Sequence, residues 1–306
     1  MCIAFWTLEN SDYALILCAN RDEYLSRPTA NAHFHASPEP NVTDTDRTIL
    51  SGVDLQAGGT WLGVNRLGRV ALLTNITEES AKFKFSRGHL VSSFLSSDET
   101  HEQFTSNLTH SSCSDYAGFN LLLFTPSSTA TPLLYDADLV TNLGGGGAIA
   151  TRSLRTEERQ ICGVSNGVDG RDGDIWCKVQ KGRETFAQVL ADMSVGSTDE
   201  ELTSRLFDLL TWKSPESPSN RAQLRNSIHI LPLRVTPSLS PDAAADGPDY
   251  YGTRLSTVLL IRKDGRVLFV ERDIWQLDSD GNPKLADPRG ERIFHFNLTL
   301  TPERQV

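Results

Sequence analysis

Cysteine is scarce in this chain of 306 residues, which has only five, at positions 2, 18, 113, 162 and 177. None forms a Cys-x-x-Cys pair, and the odd, scattered set indicates a reducing compartment rather than a disulfide framework. The Cys and His spacing of structural zinc sites is missing as well, so zinc-finger classes are excluded and no metal site is expected.

Long apolar runs are also missing. No stretch of the sequence approaches the roughly 18 consecutive apolar residues that a membrane-spanning helix needs. The first apolar run is short, no basic segment precedes it, and Glu9 and Asp12 soon follow it, so we expect no signal peptide. These absences favour a cytoplasmic protein, and any association with membranes is then expected to be peripheral.

Basic charge is in deficit. The chain has 29 Lys and Arg against 39 Asp and Glu, a net charge of −10, with an isoelectric point of about 5.2. This balance argues against a nucleic-acid partner. A hydrophobic content of 39% and a charged content of 22% are typical of an ordinary globular protein.

The first 23 residues are the stretch around which the rest is organised. Residues 2–8 are apolar and rich in strand formers, residues 9–12 form a turn cluster, and residues 13–19 are a second apolar run. This pattern predicts a β-hairpin. A thiol at position 2 then lies beside the charged residues that follow the second strand.

The pairing of this hairpin decides which of those residues faces the thiol. A turn centred on residues 10 and 11 pairs positions whose numbers sum to about 21 or 22. Cys2 then lies opposite Ala19 or Asn20. One register puts Arg21 on the face of the thiol and the other puts Asn20 and Asp22 there, because side chains alternate along a strand.

Cysteine at position 2 is small enough for the initiator Met1 to be removed, which leaves Cys2 with a thiol and a free α-amine. Their ordinary pKa values are about 8.5 and about 7.7–8.0, so the amine is partly neutral and can act as general base for the thiol. Arg21 would favour the thiolate, and Asp22 would hold the amine by hydrogen bonds. The alternative is a small core residue, since Cys in an apolar strand is usually buried.

Two asparagines end predicted strands further along the chain. Residues 60–64 and 70–74 predict a second hairpin with Asn75 at its end, and Asn166 follows a strand predicted at 160–165. A side-chain amide near the nucleophile can donate to an oxyanion. The alternative is an Asn that simply starts a turn.

The chain resembles the NRDE family in Met1-Cys2-Ile3 and in Asn20-Arg21-Asp22-Glu23. Four further motifs come in the order of that family: Gly58-Gly59-Thr60-Trp61-Leu62-Gly63, Leu73-Thr74-Asn75, Ser165-Asn166-Gly167 and Tyr251-Gly252-Thr253-Arg254. Each motif alone is weak evidence for the family, whereas the motifs together are specific to it. The family is similar to N-terminal nucleophile hydrolases of the cholylglycine hydrolase and penicillin V acylase type.

Hairpins at both ends with helices between them favour an α+β protein. The resemblance implies a four-layer αββα sandwich of two antiparallel sheets, as in N-terminal nucleophile hydrolases. We expect a single NRDE domain over residues 1–306, with a disordered loop or insertion at 237–249.

The resemblance also implies a site. Cys2 is the expected nucleophile, acting on an amide or thioester bond, with Asp22 holding the amine and Asn75 and Asn166 donating to the oxyanion. Arg21 joins this catalytic set, although the acylases read Arg-Asn-x-Asp and Arg21 stands at the x position. Asn20, Trp61 and Arg254 are the expected substrate-binding residues.

The displaced arginine favours a second hypothesis, a protein that handles haem, acyl-lipid or acyl-CoA without turning it over. The family has been tied to Golgi organisation, protein secretion, haem trafficking and lipid metabolism. Under either hypothesis the partner is a small acyl or haem-like ligand, and no cofactor is required. No haem axial ligand is readable, because His229 and His295 lie on or beside apolar strands. A third hypothesis is an interaction scaffold with an empty or closed pocket.

Other patterns in the sequence carry less information about function. Four glycines at 144–147 match a phosphate-binding loop or a flexible loop, and the lack of a following Lys-Ser/Thr favours the flexible loop. His33 and His35 fall in a segment, 33–47, that predicts a solvated loop. Helices are predicted at 87–95, 101–108, 176–190 and 198–210, and further strands at 119–124, 132–135, 227–231, 255–262, 266–272 and 292–298.

Overall fold

The computed structural model describes residues 2–36, 48–79, 81–110, 115–127, 132–194, 196–216, 218, 220–235 and 249–299. The strands are β1 Ile3–Thr7, β2 Tyr13–Tyr24, β3 Thr29–His35, β4 Ile49–Asp54, β5 Leu62–Asn65, β6 Val70–Asn75, β7 Phe119–Pro126, β8 Tyr135–Thr141, β9 Ala150–Ser153, β10 Cys162–Val164, β11 Leu233–Val235, β12 Asp249–Arg262, β13 Arg266–Asp273, β14 Trp275–Leu277, β15 Pro283–Leu285 and β16 Arg292–Asn297. The α-helices are α1 Gly88–Ser96, α2 His101–His110, α3 Thr156–Gln160, α4 Cys177–Ala191 and α5 Asp199–Leu210, and 3₁₀ turns cover Gly173–Ile175 and Arg221–Asn226.

Two antiparallel sheets contain nearly all of these strands. The first sheet has the order β10-β1-β2-β12-β13-β16, with β11 paired to β12, and we call it the N-terminal sheet. The second sheet runs β3-β4-β5-β6-β7-β8-β9, and we call it the central sheet. Every pairing is antiparallel, including the small separate hairpin of β14 and β15.

Three apolar clusters divide the fold into four layers. Alternate residues of both sheets, such as Trp6 and Leu122, meet in a core between the sheets. The opposite face of the N-terminal sheet packs on α4 and α5, where Phe5 stacks on Phe186 with ring centroids 6.4 Å apart. The opposite face of the central sheet packs on α1 and α2. The predicted α+β sandwich in the order α, β, β, α is therefore confirmed.

A close approach between helix and sheet fixes the contact of α4 with β1. Gly182 faces the ring of Phe5 so closely that an added Cβ would lie 1.9 Å from a ring carbon. Lys178, Gly182 and Phe186 follow at intervals of four residues, so they share one face of α4. The absence of a side chain at Gly182 lets this face lie directly on the N-terminal sheet.

The N-terminal hairpin forms as predicted, but its predicted register was wrong by about one residue. Ile3 pairs with Asn20 and Ala4 with Ala19, so the residue numbers sum to 23 and position 2 faces Arg21. The reason lies in the turn, where the amides of Asp12 and Tyr13 donate to the side chain of Asn10. This Asx turn moves the centre of the hairpin toward residue 12. Arg21 consequently points between the sheets, on the side of the thiol.

Two predicted segments have a different structure. His33 and His35 belong to β3 rather than to a solvated loop, because Phe34 between them packs on Phe294 and Phe296. Residues 227–231 do not form a strand. Their amides bond outside any ladder instead, His229 to the Trp212 carbonyl and Ile230 to the Thr253 hydroxyl.

The predicted helices are confirmed to within two residues at each end. The strand predicted at 160–165 is shorter, since Gln160 still belongs to α3. Of the loop predicted at 237–249, residues 237–248 lie outside the described residues, and Asp249 begins β12. Across the described ranges, no helix combines the length and the apolar character that crossing a bilayer requires.

Candidate functional site

A cavity of about 270 Å³ opens where the first strand begins, between neighbouring ends of the two sheets. Six of the eight residues that the sequence singles out line it, namely Cys2, Arg21, Asp22, Trp61, Asn75 and Asn166. Charged and polar groups make up most of the lining. The structure therefore brings together residues that lie far apart in the sequence.

Cys2 is anchored through its main chain and its thiol. The Ser165 hydroxyl donates to the Cys2 carbonyl at 2.7 Å, and the Lys178 ammonium lies 3.5 Å from the same oxygen. The Cys2 sulfur lies 3.9 Å from the main-chain carbonyl of Asp22. Burial raises the pKa of the Cys2 thiol, while the charge of Arg21 acts in the opposite direction. The raised pKa of the thiol means that formation of the thiolate is helped by a base.

Arg21 lies almost completely buried between the sheets. Its guanidinium carbon stacks 4.1 Å from the ring centre of Trp61. Its nitrogens donate to the Thr29 hydroxyl at 3.2 Å and to the Asp54 carboxylate at 3.4 Å. Arg21 is thus held by an aromatic face and a counter-ion, and its charge stays near the thiol.

The Asp54 carboxylate is shared by two arginines. Besides Arg21, it accepts a hydrogen bond from Arg27 at 2.7 Å. Hydrogen bonds from Arg27 and from the amide of Ala57 hold the pKa of Asp54 below its usual range, although burial acts in the opposite direction. Glu23 lies 4.0 Å from both guanidinium groups. The positive charges of Arg21 and Arg27 are therefore matched by two carboxylates.

Asp22 and Asn20 lie on the face of β2 opposite to Arg21. The Thr253 hydroxyl donates to the Asp22 carboxylate at 2.6 Å, and the Tyr251 hydroxyl donates to its carbonyl at 3.0 Å. The Asn20 amide donates to the main-chain carbonyls of Leu210 and Ile228. These bonds engage Asn20 within the protein, and it does not line the 270 Å³ cavity.

Arg254, like Asn20, is a predicted substrate-binding residue that does not line the cavity. Its guanidinium donates to the Arg27 carbonyl and, at 3.2 Å, to the Thr29 hydroxyl. Burial lowers the pKa of Arg254 to about 10. Arg254 therefore supports the turn that carries Arg27 and Thr29, and it does not belong to the cavity lining.

Asn75 and Asn166 meet at one wall of the cavity. The Asn166 side-chain amide donates to the Asn75 main-chain carbonyl at 2.5 Å, and the Asn166 carbonyl accepts from the amide of Thr77 at 2.8 Å. The side-chain amide of Asn75 has no hydrogen-bond partner among the residues that the structure describes. An amide left over in this way can donate to a ligand.

Comparison with known proteins places this chain among relatives. The sequence profile described as Transport and Golgi organisation 2 matches residues 1–276 of the 306. The chain belongs to the Transport and Golgi organisation 2 family. This confirms the resemblance seen in the motifs around Cys2, Trp61, Asn75 and Asn166.

Relatives of the family match along nearly their whole length. The human Transport and Golgi organization protein 2 homolog is 29% identical, over 91% of this chain and 95% of its own. An uncharacterised protein of Saccharomyces cerevisiae is also 29% identical, over 97% of this chain and all of its own. A solved Caenorhabditis elegans ortholog of N-acylethanolamine-hydrolyzing acid amidase superposes with a TM-score of 0.46 at 12% identity, covering 85% of this chain and 92% of that one.

A glycine pair in the family motif at 58–63 positions the Trp61 side of the site. Gly59 has φ +75°, and an added Cβ there would lie 2.3 Å from the main chain of Gly88. Only glycine fits this close approach. The loop therefore lies directly on the start of α1 and carries Trp61 into the cavity.

Lys178 is a site residue that the sequence analysis missed. It is fully buried on α4, with its ammonium beside the Cys2 carbonyl. Burial lowers the pKa of Lys178, and the negative charges of Asp22 and Cys2 oppose this shift. The available signal was its spacing, because Lys178 stands four residues before Gly182 on the face of α4 that packs inward.

Arg87 was missed as well. It directly precedes α1, lines the cavity together with Cys2, and donates from Nη1 to the Gly118 carbonyl at 2.9 Å. Burial lowers the pKa of Arg87, while Glu78, Glu23 and Cys2 act to raise it. No sequence pattern marked this position, since an Arg before a helix is ordinary.

The glycine-rich loop at 144–147 does not present a free phosphate cradle. The carboxylate of Glu78 accepts from the amide of Gly145 at 2.7 Å and from the amide of Gly118 at 2.6 Å. A carboxylate of the protein itself thus occupies part of this loop. Over the described residues, no group of three or more His, Cys, Asp or Glu side chains could hold a metal ion.

Proposed function

We propose that this chain is a cysteine-dependent N-terminal nucleophile hydrolase that cleaves an amide or thioester bond of a small acyl compound. One observation carries the proposal. Cys2 lines the same cavity as Asn75 and Asn166, so the residue with the nucleophile and two residues with amide donors border one space.

The reaction starts with Met1 removed. The α-amine of Cys2 takes the thiol proton, and the thiolate forms a bond to the acyl carbon. Arg21 helps this step because its charge lowers the pKa of the Cys2 thiol against the effect of burial. Asp22 supports the amine, in line with its position on β2 beside the start of the first strand.

Negative charge then develops on the carbonyl oxygen of the substrate. The unengaged amide of Asn75 donates to it, together with the second N–H of the Asn166 amide, whose first N–H is used by Asn75. One donor of this type is typically worth about 2.7–4 kcal/mol in the transition state. The C–N or C–S bond breaks, and the leaving amine or thiol takes the proton from the α-ammonium.

Water completes the turnover. The neutral α-amine removes a proton from a water molecule, which attacks the acyl carbon of the thioester on Cys2. The C–S bond breaks, the acid leaves, and the thiol regains its proton. No cofactor is needed for either half of this sequence.

A panel of amide and thioester substrates tests the proposal. We expect the protein with Met1 removed to hydrolyse at least one of them, and Cys2→Ala to abolish this turnover. Cys177→Ala is the matched control, because Cys177 is an exposed cysteine away from the cavity. Equal turnover in Cys2→Ala and in the unmodified protein would rule out the proposed mechanism.

A second function, ligand binding without turnover, is supported by the state of Arg21. Its guanidinium is engaged by Trp61, Thr29 and Asp54, so it is held by the protein rather than aimed at a substrate. The charged lining favours a polar acyl ligand over the apolar face of a haem. A haem titration tests the haem version, and the absence of a saturable shift in the Soret band would count against it.

The names of the relatives support a proposal about the cellular setting. The human homolog is named for transport and Golgi organization. We propose that this chain acts in the cytoplasm in the same process, with peripheral contact to membranes. Fractionation of cells that express the tagged protein, with and without a high-salt wash, tests this point, and recovery only in integral membrane fractions would contradict it.

A further inference from the structure

Arg87 is the one arginine of the cavity whose charge the described part of the chain does not pair with a carboxylate. Arg21 and Arg27 both lie within 4.0 Å of the carboxylates of Asp54 and Glu23. Arg87 has no such ion pair among the described residues. A guanidinium without a counter-ion in a partly buried cavity is costly, and it stands beside the candidate nucleophile.

Two carboxylates act electrostatically on Arg87, and both are engaged elsewhere, Glu23 with Arg21 and Arg27. Glu78 acts electrostatically on Arg87, yet its two oxygens accept from the amides of Gly118 and Gly145. It lies outside the cavity lining. The local charge of Arg87 therefore still faces a cavity that has room for a ligand.

One edge of the Arg87 guanidinium is left for that ligand. Nη1 of Arg87 donates to the carbonyl of Gly118 at 2.9 Å. Among the described residues, this is the one hydrogen bond that the Arg87 side chain makes. Nε and Nη2 remain. These two N–H groups point in parallel from the same edge of the guanidinium, which is the geometry that binds a carboxylate through both of its oxygens.

We propose that the cavity recognises an acyl compound that carries a carboxylate, which Arg87 binds through Nε and Nη2 while the acyl carbon lies at Cys2. The part about the acyl carbon rests on the proposed hydrolase function. Recognition of the carboxylate does not, since it needs only Arg87 and the space that it shares with Cys2.

Two alkylating reagents of similar size test this recognition directly. Iodoacetate carries a carboxylate and iodoacetamide is neutral, and with each the Cys2 thiolate displaces iodide to form a thioether. The full-length protein is labelled and digested, and mass spectrometry of its peptides gives the alkylation rate at each cysteine. At each cysteine, the rate with iodoacetate is divided by the rate with iodoacetamide. The normalised ratio is this value at Cys2 divided by the value at the exposed Cys177. This division removes the difference in intrinsic reactivity between the two reagents and the effect of the overall protein charge.

Arg87 variants then assign the preference. We expect the normalised ratio at Cys2 to be well above one and to fall about tenfold in Arg87→Gln, the size of a lost charge-assisted pair. Arg87→Lys keeps the charge without the paired N–H groups and should lose part of the preference. Arg289→Gln, at an exposed arginine paired with Asp287, is the control and should change nothing. Labelling of the buried Cys18 and Cys162 reports any variant that unfolds.

The outcomes test carboxylate recognition separately from the hydrolase proposal. A normalised ratio near one, or the same ratio in Arg87→Gln as in the unmodified protein, overturns carboxylate recognition. A high ratio that depends on Arg87 supports it, even when every acyl substrate of the panel stays intact and the hydrolase proposal fails. Where turnover is found, Arg87→Gln should raise KM for substrates with a carboxylate and leave KM for neutral ones unchanged. Equal effects on both substrate classes would also overturn it.

Discussion

Asn166 donates its side-chain amide to the main-chain carbonyl of Asn75 at 2.5 Å, which ties the end of β6 to the segment that follows β10. The two strands belong to different sheets. This hydrogen bond is therefore one of those that join the two halves of the sandwich at the wall of the cavity. It also separates the two asparagines in role, since Asn166 holds the wall together while the side chain of Asn75 stays available.

This difference predicts different phenotypes for the two alanine variants. Asn75→Ala should lower kcat of an identified substrate by about 100-fold to 1,000-fold, with the free energy of unfolding nearly unchanged. Asn166→Ala should lower kcat and also cost about 1–3 kcal/mol of stability, because buried partners lose their hydrogen bonds. Steady-state kinetics and urea unfolding measure both. Loss of stability in Asn75→Ala with unchanged kcat would show that the assignment is reversed.

Lys178 gives a prediction about the thiol itself. Its ammonium lies beside the Cys2 carbonyl and interacts with the Cys2 charge, so Lys178→Met should raise the pKa of the thiol. The rate of iodoacetamide labelling at Cys2 is then expected to rise with pH along a curve displaced to higher pH. Lys181→Met, at a partly exposed position on the same helix, is the matched control. Identical labelling curves for Lys178→Met and Lys181→Met would remove Lys178 from the site.

Gly182 gives a prediction about packing. Glycine inside a helix ordinarily costs about 0.5–1 kcal/mol relative to alanine, so Gly182→Ala would be stabilising by helix propensity alone. The contact with Phe5 reverses this expectation, because the new methyl group would overlap the ring. We expect a net loss of about 1–3 kcal/mol of stability in urea unfolding.

The exposed Glu184 on the same helix supplies the control for that experiment. Glu184→Ala keeps a good helix former and removes only a surface ion pair with Lys181, so it should leave stability nearly unchanged. A stabilised Gly182→Ala would mean that α4 does not rest on β1 as closely as the structure has it. The anchoring of Cys2 by Lys178 would then lose its basis as well.

His229 gives a prediction about pH. Its Nε2 accepts a hydrogen bond from the indole of Trp275 at 2.8 Å, and burial, with the charge of Lys213, lowers its pKa below the ordinary value of about 6.5. The unfolded chain therefore binds a proton more readily than the folded one. The contribution of His229 to stability is present above about pH 6.5 and is lost as pH falls through its folded pKa.

Urea unfolding between pH 7 and pH 5 measures this contribution. His229→Gln keeps an acceptor for Trp275 but cannot be protonated, so its stability should fall less steeply over that range than that of the unmodified protein. His110→Gln, at an exposed histidine, should follow the unmodified protein. The same slope in His229→Gln and in the unmodified protein would place the acid sensitivity at other groups.

The layers of the fold were predictable in part from local pattern and in part from the family resemblance. The alternation in residues 2–8 and 13–19 predicts the first hairpin, and the family resemblance supplies the second sheet and the order of the layers. The register was not predictable to the residue. It depends on the side chain of Asn10 capping the turn, a local hydrogen bond that shifts the pairing by one position.

The candidate site was predictable in part for the same reason. Cys2, Asn75 and Asn166 carry motif signals, and the structure brings them to one cavity. Lys178 and Arg87 belong to none of the family motifs, and each is placed at the site by contacts between segments distant in sequence. Lys178 comes to Cys2 only through the packing of α4 on β1, which Gly182 permits. Arg87 comes to the cavity only through the contact of its helix with the loop at Gly59.

The central claim is that Cys2 acts as an N-terminal nucleophile, and mass spectrometry tests it most directly. Protein purified from its own cells would be measured intact and at its N-terminus, before and after brief treatment with a neutral thiol reagent. The account predicts that Met1 is absent and that Cys2 is labelled far faster than the other four cysteines, including the exposed Cys177. Retention of Met1, or a Cys2 that stays unlabelled while Cys177 reacts, would contradict it.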